Sequence, residues 1–336
     1  MLAPVDVERL RAFADFDWLE CNTPFDRTDW TTVPEDAAAT QLVASRMSAV
    51  DALIVCHGSP RIDSQILEAS PKLRLIGELE GDRFAARIDV EAALARGVRV
   101  VDTTNGSSYG VAEWALAMTL NATRNAGELF RAMAAGDWRP RPSAPEFERF
   151  ELTGKRVGLI GLGIIGRRFV QLLQPFRCDV SAHDPYVPKE VADVLGVRLT
   201  SLDHVLGDSE VIVCLAPLTP KTRRMIGEHE LDLIKPGTAV VNVSRGPIFD
   251  PDATIARLRR GDIAAAFDVW DPEPIPQDSP IRQLANVVLT PHVASQTKDG
   301  RGRFFKLMVD EIDRFIHGHE TLYDLTPRTL ANRFGR

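Results

Sequence analysis

The stretch RVGLIGLGIIGR, residues 156–167, decides the fold of this chain. Its first five residues are an apolar run of the kind found in buried β-strands. Gly161, Gly163 and Gly166 follow as G-x-G-x-x-G, and apolar residues then recur on one face of a predicted helix over 164–176. In such a unit the glycines make a tight turn, let a pyrophosphate approach the backbone, and let helix and strand pack closely. The stretch therefore predicts a dinucleotide-binding unit.

A carboxylate follows the next predicted strand. Residues 179–183 read as that strand, and Asp184 ends it. A carboxylate about 20 residues beyond the first glycine is where this kind of unit binds ribose hydroxyls. The alternative is an ordinary glycine turn beside an ordinary acidic loop residue. The order of strand, turn, helix, strand and carboxylate favours the nucleotide site.

Composition places the chain among ordinary globular proteins. It has 336 residues, of which 44% are hydrophobic and 26% are charged, with a formal net charge of −7. This length predicts two domains. The acidic balance argues against non-specific binding to nucleic acid or to an anionic membrane, although a local basic pocket for a small anion stays possible.

Cysteine usage and hydropathy predict a cytoplasmic protein. None of the four cysteines forms a C-x-x-C motif, so they read as reduced core residues and not as disulfides or metal ligands. No apolar run approaches the ~18 residues of a membrane span. The N-terminal sequence has no signal-peptide core. We expect no metal, no membrane and no nucleic acid as partners.

Strands alternate with helices along most of the chain, which predicts an α/β fold with parallel sheets. We expect two flavodoxin-like or Rossmann-type domains with a cleft between them. The substrate domain is predicted over 1–105 and 299–336, and is therefore discontinuous, and the nucleotide-binding domain over 106–298. Predicted strands lie at 16–21, 52–56, 73–77, 98–102, 211–215, 239–243, 264–269 and 287–289, and predicted helices at 36–50, 62–69, 88–96, 111–135 and 303–316.

Three polar residues follow strands of the predicted nucleotide-binding domain, where ligands of open α/β sheets bind. Arg245 follows the strand 239–243, Glu273 comes soon after 264–269, and His292 follows 287–289. Arginine grips a carboxylate through two hydrogen bonds. Histidine can exchange a proton with a carbonyl or alcohol oxygen near neutral pH. A glutamate on the other imidazole nitrogen fixes the tautomer and favours the protonated form. Together they suit reduction of a carbonyl in an anionic substrate.

Each of these three residues also has a structural interpretation. Arg245 can be a surface ion-pair partner, Glu273 a solvated acidic residue in a proline-rich loop, and His292 a histidine satisfied within the fold.

Five sequence motifs together resemble those of one known family. GLGIIGR, HDPY, VNVSRGPIFD, AAFDVWDPEP and LTPHVA are similar, in order and spacing, to the D-isomer-specific 2-hydroxyacid dehydrogenases. The resemblance implies NAD as cofactor, a small 2-oxo or 2-hydroxy acid as substrate, and a homodimer formed through 111–135. It implies Arg245 as the substrate anchor, His292 as general acid and base, and Glu273 as its partner. The implied cofactor residues are Gly161, Gly163, Ile164, Ile165, Gly166, Asp184, Pro217, Thr222, Val243, Ser244, Arg245, Asp268 and His292.

One segment departs from the family pattern. The family has a small, glycine-rich loop after the strand 73–77, whose backbone N–H groups hold the substrate carboxylate. Here residues 78–87 read ELEGDRFAAR, with three carboxylates that would repel an anion. They can point outward, pair with Arg83 and Arg87, or select a different substrate. The substrate contacts expected by resemblance are Leu79, Glu80, Gly81, Arg245 and His292.

Two rival functions follow from this departure. One is oxidation of another small anion, such as formate or phosphite; the formate enzymes carry a glutamine where Glu273 stands, which disfavours that variant. The other is an NAD-sensing binding module, because the resemblance includes corepressors of the same fold. The complete set of Arg245, Glu273 and His292 favours an enzyme.

Overall fold

The computed structural model describes residues 3–24, 33–79, 87–138, 147–326 and 329–331. The chain is an α/β protein that divides into two compact units. The first consists of Met1–Ser107 with Thr297–Leu330, and the second of Ser108–Gln296. We predicted the boundaries at 105 and 299. Ala331, predicted in the first domain, groups with the second unit, and 332–336 lie outside the described residues.

The first unit contains a three-stranded parallel sheet whose strands lie side by side in chain order. The helix Lys298–Ile316 packs on this sheet through Phe305, Met308, Val309 and Ile312. Gly77 in the central strand makes this approach possible, because a Cβ there would lie 2.4 Å from Met308 Sδ. The elements of this unit are β1 (Ala52–Val55), β2 (Leu75–Glu78), β3 (Arg99–Asp102) and the helices Pro4–Arg11, Ala37–Ala44, Ser64–Glu68, Val90–Ala95 and Lys298–Ile316.

Capping residues in the sequence explain where several of these helices begin. The side chains of Asp36, Asp63 and Asp89 each accept a hydrogen bond from the backbone N–H three residues further on. Thr297 does the same for the helix Lys298–Ile316. Such caps satisfy N–H groups that have no partner inside the helix.

The second unit contains a seven-stranded sheet in which every strand pair is parallel. The strands are β4 (Arg156–Ile160), β5 (Asp179–His183), β6 (Arg198–Leu199), β7 (Val211–Cys214), β8 (Ala239–Asn242), β9 (Ala264–Phe267) and β10 (Val287–Leu289). Their order in the sheet is β10-β9-β8-β7-β4-β5-β6, so the direction of strand addition reverses between β4 and β7. The carboxyl ends of the strands at such a point form the crevice in which doubly wound folds bind nucleotides.

Helices pack against this second sheet and bury its apolar strands. Phe169, Val170 and Leu173 place one face of the helix after the glycine turn in the core. That helix was predicted over 164–176, and it continues as a 3₁₀ turn, Gln174–Phe176. The helices of this unit are Ser108–Thr123, Ala126–Ala134, Ile164–Leu173, Lys189–Val194, Leu202–Asp208, Glu228–Leu233 and Pro251–Leu258.

The single helix predicted over 111–135 is wrong, because two helices occupy this region, Ser108–Thr123 and Ala126–Ala134. Asn125 lies between them with φ 45°, in the left-handed region that asparagine tolerates better than most residues. Its side-chain amide donates to Glu128 Oε2 at 2.9 Å. Apolar periodicity continues across the break and therefore hides it.

The N-terminal region also differs from expectation. Residues 16–21 form no strand, and the helix predicted over 36–50 ends at Ala44, with a 3₁₀ turn at Met47–Ala49. The helix Pro4–Arg11 was not predicted. Within the described residues, no helix is both long enough and apolar enough to cross a bilayer.

Candidate active site

The glycine turn after β4 has the geometry that the motif predicts. Gly161 has φ 97°, and a Cβ there would lie 2.8 Å from the backbone nitrogen of Ala216. A Cβ on Gly166 would lie 2.7 Å from Gly161 O. Gly163 is the N-cap of the helix Ile164–Leu173, and its Cβ position has no atom within 4 Å. Two glycines thus allow close packing, while the third leaves space at the helix N-terminus.

The first helical residues after this turn are Ile164 and Ile165. The N–H groups of a first helical turn have no carbonyl partner within their own helix, and the helix dipole adds partial positive charge there. Ile164 is more than one-third exposed. The turn therefore presents a site suited to the phosphates of a nucleotide.

Asp184, at the end of β5, connects the second strand to the glycine turn. Its Oδ2 accepts a hydrogen bond from the N–H of Leu162 at 2.8 Å. Its Oδ1 accepts from the N–H groups of Tyr186 and Val187, at 2.9 and 3.1 Å. A carboxylate has about four lone-pair positions, so three backbone donors leave capacity for a hydroxyl of a ligand.

The segment after β7 is fixed by a threonine. Thr222 Oγ1 donates to the carbonyl of Pro217 at 2.7 Å and accepts from the N–H of Thr219 at the same distance. Ser244, after β8, donates its hydroxyl to the carbonyl of Ala216. These bonds hold the carboxyl ends of two neighbouring strands in place beside the glycine turn.

Arg245 lies two residues after the buried Val243 and is half-buried. Its Nη1 donates to the carbonyl of Ser244 at 2.6 Å, and its own carbonyl accepts from Asn242 Nδ2 at 3.1 Å. The next residue must be glycine, because a Cβ on Gly246 would lie 1.8 Å from the carbonyl oxygen of Trp270. Backbone packing on both sides therefore fixes the position from which the Arg245 side chain extends.

Asp268 follows β9, is 1% exposed, and binds the loop that carries His292. Its carbonyl accepts the N–H of His292 at 2.8 Å. Its carboxylate accepts four hydrogen bonds, from Trp114 Nε1 at 3.2 Å, Thr290 Oγ1 at 2.5 Å, Val293 N at 3.0 Å and Ala294 N at 3.0 Å. The contact between Asp268 and the cofactor stays a prediction; here the side chain organises the protein.

The structure brings His292 and Glu273 together. The imidazole Nδ1–H donates to Glu273 Oε2 at 2.8 Å, and Glu273 Oε1 accepts from the N–H of Trp270 at 3.0 Å. The side chains are 23% and 19% exposed, so the pair reaches solvent. His292 has φ 54°, a left-handed conformation that costs energy in a non-glycine residue and is often found at functional sites.

The segment 78–87 of the first unit, which departs from the family pattern, is described at its two ends. Glu78 ends β2 and is fully buried, and both of its carboxylate oxygens accept from Arg87 Nη1, at 2.5 and 2.6 Å. Of the options considered for this carboxylate, pairing with Arg87 is therefore the observed one. Leu79 has a core side chain, and its N–H donates to Val55 O at 3.1 Å. The predicted contacts Glu80 and Gly81 lie outside the described residues.

The thiols do not offer a nucleophile. Burial raises the pKa of Cys214 to about 12, and it also raises the pKa of Cys21, Cys56 and Cys178. A raised pKa disfavours the reactive thiolate. Within the part of the chain that the structure describes, no group of three or more His, Cys, Asp or Glu residues is arranged to hold a metal ion.

Sequence reasoning missed Trp114 and Thr290, whose side chains donate hydrogen bonds to the Asp268 carboxylate. Thr290 ends the strand just before Pro291 and His292, so its place in the sequence was a usable signal. Trp114 contacts Asp268 across 154 positions of chain. No local pattern predicts such a contact.

The parallel sheet, the glycine turn and Asp184 define the second unit as a Rossmann-type, dinucleotide-binding α/β domain. Residues 116–294 match the family model for "D-isomer specific 2-hydroxyacid dehydrogenase, NAD binding domain". The chain belongs to the D-isomer specific 2-hydroxyacid dehydrogenase family, as the sequence motifs predicted.

Two relatives, a dehydrogenase and a reductase, are similar to most of the chain. A D-3-phosphoglycerate dehydrogenase of Methanocaldococcus jannaschii is 35% identical over 80% of this chain and 50% of its own. The chain spans about half the length of the D-3-phosphoglycerate dehydrogenases that it matches. A glyoxylate reductase of Aeropyrum pernix is 34% identical over 81% of this chain and 80% of its own.

A solved structure is also similar. D-lactate dehydrogenase from Aquifex aeolicus, complexed with NAD and lactic acid, superimposes with a TM-score of 0.63 at 25% identity. The match covers 82% of this chain and 85% of that one.

Proposed function

We propose that the protein interconverts a 2-oxo acid and a D-2-hydroxy acid with NAD(H). The observation that carries this proposal is the hydrogen bond of 2.8 Å between His292 Nδ1 and Glu273 Oε2. A histidine oriented in this way, after β10 of a sheet suited to a nucleotide, supports a role as proton carrier. The activities named for the similar glyoxylate reductase and D-lactate dehydrogenase are consistent with this reaction.

The residues around the glycine turn fit a dinucleotide. The open Cβ position of Gly163 leaves room for the pyrophosphate against the helix N-terminus. Asp184 holds three backbone N–H groups and has capacity for a ribose hydroxyl. When bound, the nicotinamide supplies the hydride for reduction and accepts it in oxidation. Pro217 and Thr222 lie in the segment after β7, and Val243 and Ser244 directly follow β8.

Arg245 is the proposed anchor for the substrate. A guanidinium binds a planar carboxylate through two parallel hydrogen bonds, so it can fix both the position and the plane of a 2-oxo acid. The bond from Nη1 to the carbonyl of Ser244 restrains one edge of the group. Orientation of this kind can contribute several kcal/mol to lowering the barrier.

His292 is the proposed general acid and base. Because Nδ1 is bonded to Glu273, the ring exchanges its proton with substrate through Nε2. In reduction the imidazolium gives this proton to the carbonyl oxygen as the hydride reaches the carbon. In oxidation the neutral ring takes the hydroxyl proton. The Glu273 carboxylate fixes the ring orientation and stabilises the charge that the imidazole acquires.

We further propose NAD(H) over NADP(H) as cofactor. A carboxylate at the Asp184 position accepts hydrogen bonds from ribose hydroxyls and repels a 2′-phosphate. The residues that follow are Pro185, Tyr186 and Val187, none of which is basic. The NAD complex of the similar D-lactate dehydrogenase supports the same preference.

Exposed apolar side chains support a homodimer. Phe130 and Met133, on the helix Ala126–Ala134, are 64% and 55% exposed, and Trp138 beyond it is also exposed. Tyr109 and Leu120 add partly exposed apolar area on the preceding helix. Apolar area of this kind is expected to be covered by a second copy.

The four cysteines are free thiols, which supports a reducing compartment such as the cytoplasm.

A substrate panel tests the proposed activity. NADH absorbance would be followed with glyoxylate, hydroxypyruvate, pyruvate, larger 2-oxo acids and phosphorylated ones, and the product would be resolved on a chiral column. We expect at least one acid to be reduced to its D isomer. Arg245→Ala should weaken binding of that acid as well as turnover. NADH binding without reduction of any acid would instead favour an NAD-sensing module.

A further inference from the structure

Trp114 contacts the buried carboxylate of Asp268, which binds the segment that carries His292. Its indole Nε1–H donates to Asp268 Oδ1 at 3.2 Å, and it lies on the helix Ser108–Thr123. We propose that Trp114 is a positioning residue, which acts through Asp268 on the segment that carries His292. The catalytic consequence of this proposal rests on the proposed function. The structural consequence, a more mobile segment when the N–H is removed, does not depend on it.

The donors to the Asp268 carboxylate among the described residues are all neutral. The side chain is almost fully buried, and no arginine or lysine among the described residues forms an ion pair with it. A buried carboxylate without a cation depends on its hydrogen bonds for stabilisation of its charge. Oδ1 receives three of the four donors, and the Trp114 indole is one of these three. Loss of one donor therefore affects how the others are arranged.

The other donors to Asp268 belong to the segment around His292. They are the Thr290 hydroxyl and the N–H groups of Val293 and Ala294, on either side of the histidine. The N–H of His292 itself donates to the Asp268 carbonyl. A left-handed conformation at His292 persists only when its surroundings hold it. These four bonds tie the backbone around His292 to Asp268 and help to hold that conformation.

Among the residues that the structure describes, Trp114 is the only donor to this carboxylate that comes from outside the segment. Val111, Ala115 and Met118 of the same helix are buried in the core of the second unit, so the indole is attached to a rigid element. The Trp114 bond therefore fixes Asp268 relative to the core, and Asp268 in turn fixes the backbone on both sides of His292. The Glu273 bond then sets the ring.

A matched pair of variants separates the N–H donor from the bulk of the ring. Trp114→Phe and Trp114→His remove similar volume, but only histidine returns a ring N–H. Thr290→Val removes the hydroxyl donor to the same Oδ1 atom at nearly constant shape. Trp18→Phe, at an exposed position in the first unit, serves as the control for loss of a tryptophan.

Hydrogen exchange gives the readout that does not require activity. We expect amides of the peptide covering 290–294 to exchange faster in Trp114→Phe and in Thr290→Val, with partial recovery in Trp114→His. Exchange in the glycine-turn peptide should stay unchanged. If the ring only fills space, the apolar phenylalanine should protect at least as well as histidine, and that result would overturn the proposal.

Kinetics give the second readout. With the best 2-oxo acid, Trp114→Phe should lower kcat roughly ten- to a hundredfold, as expected for a misplaced catalytic group, with little change in the KM for NADH. The double variant with Thr290→Val should lose less than the product of the single losses, because both donors act through one carboxylate. Full multiplicative losses would contradict this. If the unmutated protein reduces no acid, the proposed function fails, while hydrogen exchange still decides the role of Trp114.

Discussion

In both units a carboxylate at or beyond the carboxyl end of a strand is paired with a basic side chain, and the two pairs differ in burial and in chemistry. Glu78 and Arg87, at the end of β2, are fully buried. Glu273 and His292, beyond β9 and β10, are about one-fifth exposed. Arginine keeps its proton at any physiological pH, whereas histidine exchanges its proton near neutrality. We therefore expect the first pair to have a structural role and the second to be able to transfer a proton.

The burial of each pair fits its role. A buried ion pair is costly to form, and removing one partner leaves an uncompensated charge. Such a pair fixes the two ends of the segment that departs from the family pattern. A partly exposed pair is weaker in stability but can reach a ligand and solvent. We therefore expect substitutions in the two pairs to affect different properties: stability for the first, catalysis for the second.

The largest expected effect is on catalysis, from His292→Ala. Loss of a general acid should lower turnover by about two to four orders of magnitude. NADH binding, measured by fluorescence titration, should be retained because the glycine turn is not changed. His204→Ala is the matched control, since His204 lies on a surface helix of the same unit. Near-normal reduction by His292→Ala would assign the proton transfer to another group.

The next effect is on stability, from Glu78→Gln. This variant leaves the Arg87 charge buried without a partner, so the free energy of unfolding should fall by about 3–5 kcal/mol. Urea unfolding of Glu78→Gln and of the exposed control Glu320→Gln measures it.

Glu273→Gln, the matching substitution in the pair of Glu273 and His292, should affect catalysis more than stability. Glu273→Gln should alter stability by about 1 kcal/mol or less, while it lowers the rate of reduction. Equal stability losses in Glu78→Gln and Glu273→Gln would remove the distinction between the two pairs.

A smaller effect concerns cofactor choice. Asp184→Asn keeps a hydrogen-bond acceptor beside the glycine turn but removes the charge that repels a 2′-phosphate. The ratio of kcat/KM for NADH to that for NADPH should fall by roughly tenfold, the size expected when one charged contact is lost. Asp193→Asn, on the exposed surface of the next helix, is the control. Equal use of both cofactors by the unmutated protein would disprove the proposed preference.

The sequence was sufficient to predict the elements of the second unit that local patterns specify. The glycine turn, Asp184 and the strand ends that carry Arg245 and His292 each follow from residues within a short window. The structure places Glu273 and His292 in contact, although 19 positions separate them, because parallel strands end at one edge of a sheet.

The sequence was insufficient where distant residues or a single backbone conformation decide the structure. The bond from Trp114 to Asp268 joins positions 154 residues apart and has no local signature. Asn125 interrupts a helix whose apolar pattern continues across it. At residues 78–87, the sequence left open whether the carboxylates point outward, pair with Arg83 and Arg87, or select a different substrate, and tertiary packing decides this for Glu78, which is buried against Arg87.

The pH dependence of the two reaction directions tests most directly whether the pair of Glu273 and His292 transfers the proton. Reduction requires the imidazolium and oxidation requires the neutral ring. Initial rates at saturating cofactor should therefore fall with rising pH for reduction of the 2-oxo acid and rise for oxidation of the D-2-hydroxy acid. Both dependences should be lost in His292→Ala. If both rates change in the same direction with pH, or if His292→Ala keeps the opposed profiles, the proposed mechanism is wrong.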